Sequence, residues 1–316
     1  MKLISAFVRL VRWPNLVMIA VTQALFYFSL VEPLQDKGIH THFNTFHFIL
    51  LIIASVLIAA AGYIINDYFD LNIDQVNKPQ RTVIDKVIKR RWAIIMHLIF
   101  SFTAILISFY IDLRSSTYWL GFSNIICTFL LFGYSISLKK KLLWGNILIS
   151  ALTAWVVMVS FLCYYNSFYC SDCDPGFMDA YNNRFIRISF LYTGFAFVIS
   201  LIREVVKDLE DMEGDVRYGC KTMPISWGIP VSKVFVAVWL IVLIGMIAIV
   251  QFYVLQTLGW YWSAVYSIVL IIAPLMWILW NLYKAQVPAD YHRLSTAIKL
   301  VMLAGLMSMV FFKIYS

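Results

Sequence analysis

Apolar runs of about 20 residues recur nine times along this chain, and no other feature limits its fold as strongly. A helix rises about 1.5 Å per residue, so each run can cross a hydrocarbon layer of roughly 30 Å. Membrane-barrel strands need only about 10 residues and alternate in polarity, which these runs do not. The expected spans are 14–32, 46–65, 92–111, 117–137, 143–165, 186–202, 233–254, 261–283 and 297–315. Composition agrees: 62% of residues are hydrophobic and 13% charged, against about 45–50% and 25% in soluble domains. The first span lacks a small-residue cleavage site and eight more apolar segments follow it, so it reads as a retained helix and not a cleaved leader. No long Pro/Gly/Ser linker divides the chain. Residues 1–316 are therefore expected to form a single polytopic, all-α integral membrane domain of nine transmembrane helices.

The formal charge of +8 invites a nucleic-acid reading, which the placement of the charges removes. With the N-terminus on the cytoplasmic side, 20 of the 25 Lys and Arg fall on that side, leaving Lys37, Arg114, Arg184, Arg187 and Lys313 outside. This is the positive-inside bias, and it fixes both the orientation and an odd number of spans. The cell inner membrane is the expected location. Cys127, Cys163 and Cys220 stand alone and read as small apolar packing residues. Cys170 and Cys173 form one C-S-D-C pair in the loop after the fifth span. Without a second pair or nearby histidines it reads as a local disulfide or two thiols, beside solvated Asp172, Asp174 and Asp179.

Ten of the 17 acidic residues lie in two short segments, both on the expected cytoplasmic side. The first follows span two and includes Asn66, Asp67, Asp70, Asp74 and Asp85. The second follows span six and includes Glu204, Asp208, Glu210, Asp211, Glu213 and Asp215. Asn66, Asp70 and Asp74 recur every four residues and share one helical face; Lys207, Asp211 and Asp215 repeat that spacing. Each segment follows the second helix of a four-span group, which suggests two pseudo-repeated four-helix units with the ninth span added. Like charges at this spacing destabilise a bare helix, so two such faces imply a bound counter-charge. Mg²⁺ uses one or two carboxylates together with phosphate and water oxygens, which suits a metal-bridged diphosphate. Arg81, Arg203 and Lys207 interleave with the carboxylates, Lys78 follows the first segment and Lys139 closes span four. All five suit diphosphate oxygens, whereas Lys86, Lys89, Arg90 and Arg91 read as positive-inside anchors.

The motifs N-D-x-x-D-x-x-x-D at Asn66–Asp74, K-P-x-R at Lys78–Arg81 and D-x-x-D-x-x-x-D at Asp208–Asp215, on nine helices, resemble the UbiA superfamily of intramembrane prenyltransferases. Tyr134 with Lys139, followed by Gly145-Asn146, is similar to that family's tyrosine/lysine segment, although the spacing here is five residues and not four. Thr82 stands where many members carry proline. The resemblance implies that Asn66, Asp70, Asp74, Asp208, Asp211 and Asp215 hold Mg²⁺ on an allylic diphosphate, with Asp67 also at the diphosphate. It implies a prenyl tail in an apolar groove open to lipid, Asp70, Asp74, Asp211 and Asp215 as catalytic residues, and capture of an allylic cation by a lipophilic acceptor. The lead-in R-E-x-x-K-D at Arg203–Asp208 resembles the branch that alkylates geranylgeranylglycerol phosphate; aromatic acceptors of quinone pathways and tetrapyrroles remain open. A secondary transporter is the rival class, but transporters set their carboxylates near the bilayer midplane on broken helices, and here they gather at one face.

Overall fold

In the computed structural model the described residues are 2–35, 39–77, 83–115, 117–165, 167–169 and 175–315, with backbone alone at 2 and 175–181. A short helix, α1 (Lys2–Leu10), precedes α2 (Trp13–Gln35), α3 (Thr45–Asn77), α4 (Arg90–Ser115), α5 (Leu120–Ile136) and α6 (Trp144–Tyr165). Then come α7 (Pro175–Glu210), two short helices α8 (Met212–Arg217) and α9 (Met223–Trp227), and the long α10 (Ile229–Leu258), α11 (Tyr261–Lys284) and α12 (Pro288–Ile314). Among the described residues, eight helices are long and apolar enough to cross a membrane, and the 17-residue α5 supplies the ninth expected span. Asp112 starts α5, accepting hydrogen bonds from the Leu120 and Gly121 amides at 3.1 and 2.7 Å, where the first turn has no helical carbonyl to donate to.

Hydropathy locates the spans but understates their length. The second was expected over 46–65 and the sixth over 186–202, yet α3 runs to Asn77 and α7 to Glu210. Helical hydrogen bonding continues past the apolar run into the charged segment, so the first acidic motif sits on the helix itself and not in a loop. Two π-helical segments interrupt α2 at Tyr27–Val31 and α11 at Ile268–Ile272. Both have the same cause: Pro33 and Pro274 lack an N–H and crowd the carbonyls of Ser29 and Leu270, four residues back and inside each π turn.

The helices form one bundle in which α3 and α7 carry most of the packing. Close approach relies on small residues: a Cβ on Gly62 of α3 would stand 2.9 Å from Leu131 of α5. The two four-helix units differ internally, since α3 packs mainly on α4 whereas α7 packs mainly on α6. Nor is α12 a peripheral addition. It packs along α7 and its last turns rest on Tyr27–Val31 of α2, closing the bundle between its first and last spans. At one end, β1 (His40–Thr41) pairs antiparallel with β2 (Phe168–Tyr169), and Lys313 pairs with Glu32. A cluster of Tyr27, Phe43, Phe48, Tyr164 and Phe185 fills that end. Both acidic motifs lie at the other.

Candidate active site

A cavity of about 810 Å³ opens at the acidic end and runs into the bundle. Its mouth is charged. Asn66, Asp67, Asp70 and Asp74 come from α3, Lys139 from the turn before α6, Arg203, Lys207 and Asp208 from α7, and Asp211 and Asp215 from the α7–α8 region. Deeper, the walls are uncharged and mainly apolar, with Met18, Ile58, Leu131, Leu152, Trp155 and Ile199 among a few hydroxyls and Asn124. The chamber is therefore polarised along its length: ions at the membrane edge, hydrocarbon surfaces inside.

On α3 the four-residue spacing works as expected. Asn66 Nδ2 donates to Asp70 Oδ2 at 2.8 Å one turn away. Lys139 Nζ donates to Asp70 Oδ1 and to Asn66 Oδ1, the latter at 3.4 Å, so one cation serves both members of that face. Gly145 makes this possible, because a Cβ there would stand 2.8 Å from the Lys139 Cα and 3.2 Å from the Tyr134 ring. Asp67, one step round the helix, belongs to Arg12, whose guanidinium donates to its Oδ1 at 2.7 Å. Arg12 sits in the left-handed region at φ 51°, between α1 and the Pro14-containing start of α2, and that turn points its side chain across the Tyr63 ring. The Asp67 carboxylate raises the Arg12 pKa, so the guanidinium stays charged.

The second motif is built differently. Asp208 Oδ2 accepts from Asn146 Nδ2 at 2.8 Å, while Arg203 and Lys207 both turn to the buried Glu204 at 2.9 and 3.4 Å. The chain then kinks at Asp211 (φ −96°, ψ 7°) between α7 and α8, though the amide of Asp211 still donates to Lys207 O at 2.9 Å and that of Asp215 to Asp211 O at 3.3 Å. Asn77, the last residue of α3, holds the kink. Its Nδ2 donates to Asp211 O at 2.9 Å and its Oδ1 accepts from the Gly214 amide at 2.8 Å. A Cβ on Gly214 would overlap the Asn77 amide, so the close approach requires glycine there. Beyond the kink, burial pushes the Cys220 thiol up to about 11, which keeps it protonated at the cavity wall.

The structure thus brings Asn66, Asp67, Asp70, Asp74, Lys139, Arg203, Lys207, Asp208, Asp211 and Asp215 to one cavity. Lys37, Lys78, Arg81 and Thr82, and the loop residues Cys170, Asp172, Cys173 and Asp174, lie outside the described residues, as does the side chain of Asp179. Arg12, Asn77, Glu204 and Asn146 hold the site together, and sequence reasoning gave none of them a role. The signals present were the Gly145-Asn146 pair and, for Glu204, its place in the second acidic segment. Among the described residues no three His, Cys, Asp or Glu side chains form a cluster able to hold a metal alone. The donor chemistry nevertheless fits Mg²⁺, which takes one or two carboxylates and completes its shell with phosphate and water. Asp70 and Asp208 already accept hydrogen bonds, but a carboxylate has about four lone-pair sites and retains capacity.

A site with an ionic mouth over an apolar chamber accepts an amphiphile, anionic head at the membrane edge and tail within, and belongs to an intramembrane enzyme of lipid-like substrates. The chain belongs to the UbiA prenyltransferase family, whose model matches residues 38–306. Digeranylgeranylglyceryl phosphate synthase of Methanosphaera stadtmanae is 29% identical to it over 301 residues, covering 93% of this chain and 97% of the relative. The enzyme of that name from Methanothermobacter thermautotrophicus is 33% identical over 199 residues, 62% of each chain. A UbiA homologue from Archaeoglobus fulgidus, solved bound to DMAPP and Mg²⁺, superposes over 96% of this chain and 98% of its own with a TM-score of 0.55. At 14% identity that likeness is one of fold. The transporter reading is set aside.

Proposed function

We propose that this chain, acting as a single membrane domain, transfers a prenyl group from an allylic diphosphate to the free hydroxyl of a glycerol-phosphate lipid. The observation that carries the reading is the turn at 137–146. From it Lys139 reaches Asp70 of the first motif and Asn146 reaches Asp208 of the second, so one short segment registers both acidic motifs on a common mouth. Asp74, Asp211 and Asp215, with Asn66, Asp70 and Asp208, would hold Mg²⁺ there. When bound, it would neutralise charge developing on the departing diphosphate. Lys139 adds fixed positive charge beside the same oxygens, as Lys78 and Arg81 would from beyond the first motif, while the apolar walls keep water from the reacting carbon. The donor C–O bond breaks with its electron pair going to diphosphate. The acceptor oxygen bonds the allylic carbon and releases its proton to solvent at the mouth. The two named relatives, digeranylgeranylglyceryl phosphate synthases, support the choice of acceptor, and the Archaeoglobus homologue with DMAPP and Mg²⁺ supports the donor and metal.

The decisive assay supplies geranylgeranyl diphosphate with geranylgeranylglycerol phosphate, 4-hydroxybenzoate or 1,4-dihydroxy-2-naphthoate in parallel and identifies products by mass. Transfer to the glycerol lipid is expected. Transfer only to an aromatic acceptor would replace this reading with quinone-type prenylation. The positive-inside bias supports a cell inner membrane location with the mouth on the cytoplasmic side. Single cysteines at positions 85 and 178 should then label from opposite sides; labelling from one side would reverse or break that topology.

A further inference from the structure

The cavity also holds cations that the donor chemistry does not use. Lys299 lies on α12 between Ile298 and Leu300, with Val301 and Met302 following, a costly place for an ammonium group in a membrane-spanning helix. It is half-buried, lines the cavity and donates to the neutral Asn15 Oδ1 at 2.6 Å. Arg203 and Lys207 line the same cavity. Among the described residues Arg203 and Lys207 both form ion pairs with Glu204, and Lys299 pairs with no carboxylate. The Arg203 Nε is fully buried and has no hydrogen-bond acceptor among the described residues. A buried guanidinium N–H without an acceptor is costly, and like charges held together in low dielectric are more so.

We propose that Lys299 and Arg203, with Asn15 as the positioning residue for Lys299, form a second anion site that selects the phosphate monoester of the acceptor. This deepens the glycerol-phosphate reading above and rests on it. A phosphate monoester carries about −1.5 to −2 charge near neutral pH, which would give Lys299 and Arg203 a shared anionic partner. It also supplies acceptor oxygens for both the guanidinium fork and the ammonium. Placement adds a second argument. Lys299 comes from α12, whereas the carboxylates come from α3, α7 and the α7–α8 kink, so the second anion site draws on a helix that supplies none of the proposed metal ligands. Lys207 contributes less directly, being held on Glu204.

The test measures binding apart from turnover. The detergent-solubilised protein is saturated with Mg²⁺ and the unreactive thiolo analogue of geranylgeranyl diphosphate, then titrated calorimetrically with geranylgeranylglycerol phosphate or with phosphate-free geranylgeranylglycerol. Lys299→Met should bind the phosphorylated lipid roughly thirtyfold more weakly, as expected when a buried charge loses its partner. Lys299→Arg should stay within about threefold. The phosphate-free lipid should bind all three proteins equally weakly, and affinity for the donor analogue, which also reports folding, should be unchanged. Equal affinity of wild type and Lys299→Met for the phosphorylated lipid would overturn the assignment, as would a matching loss for the phosphate-free lipid or the donor analogue. Phosphate-selective binding without transfer would sink the proposed function and leave this site standing. Transfer that is indifferent to Lys299→Met would do the reverse.

Discussion

The two acidic motifs share a spacing but not a construction. The first runs along an unbroken helix and borrows its counter-charges from distant segments, Arg12 for Asp67 and Lys139 for Asp70. The second pairs Arg203 and Lys207 locally with Glu204, then kinks at Asp211 and depends on Asn77 from the first motif's helix to hold its shape. A straight, well-propped helix and a kink under clamp differ in how they fail. Damage to the first should act through charge, and damage to the second through backbone position.

The largest effect expected is common to both. Asp74→Ala and Asp211→Ala should each lower kcat by at least about 10³ with helicity and detergent elution volume unchanged, if each removes a ligand for metal-bound diphosphate as proposed. EDTA should abolish turnover and added Mg²⁺ restore it. If either variant turned over normally, that carboxylate would leave the metal set and the two motifs would not be equivalent in function.

Next comes the charge borrowed by the first motif. The Lys139 and Asp70 side chains retain only 10% and 16% exposure. Lys139→Met should therefore cost about 3 kcal/mol, the low end for truncating one partner of a buried pair, with turnover down roughly 100-fold. Lys139→Arg should recover most of the loss in stability. Thermal melts of both variants in detergent, with and without Mg²⁺ and donor, give the readout. A Lys139→Met protein as stable as wild type would show that Asp70 is satisfied by other groups.

The second motif should yield to a different attack. Asn77→Ala removes two hydrogen bonds to the kink and should cost about 1–2 kcal/mol, with activity down about tenfold. Gly214→Ala alone drives a methyl into the Asn77 amide and should do as much damage. In an Asn77→Ala background the same methyl no longer meets that amide, so the two losses should not add. Additive losses would mean that the clamp is not the common cause.

The ease with which each motif could be read follows from this contrast. Asn66, Asp70 and Asp74 were legible because a helix turns sequence spacing directly into a shared face. The nine spans were legible from hydropathy, but the ends of α3 and α7 were not, because charge ends an apolar run without ending helical hydrogen bonding. Arg12 looked like a positive-inside anchor, since its partner is 55 residues away. Asn77 grips a backbone carbonyl 134 residues distant, and a backbone atom leaves no residue-type signal. Lys299 was counted as one more inward-facing charge, and its meaning depends on α12 packing against α7, which no local pattern encodes.

The smallest effects separate the motifs from their charged fringes. Arg90 donates to Asp85 at 2.7 Å near the first motif, with both side chains about half exposed. Arg217 stands 3.8 Å from Glu213 beside the second, at 62% and 78% exposure. Water screens both pairs and holding the side chains together costs rotamer entropy, so neither should contribute more than the small amount typical of surface pairs. Their geometry still ranks them. The short Arg90 contact to Asp85, which sits at φ 65° in a turn, should leave a faint loss of stability in Arg90→Ala, whereas Arg217→Ala should be silent. Activity in both should stay within about twofold of wild type, and added salt should erase the Arg90 effect. A tenfold drop in Arg217→Ala would show that the mouth reaches past Asp215 to the end of α8, and that the second motif, unlike the first, recruits its exposed flank.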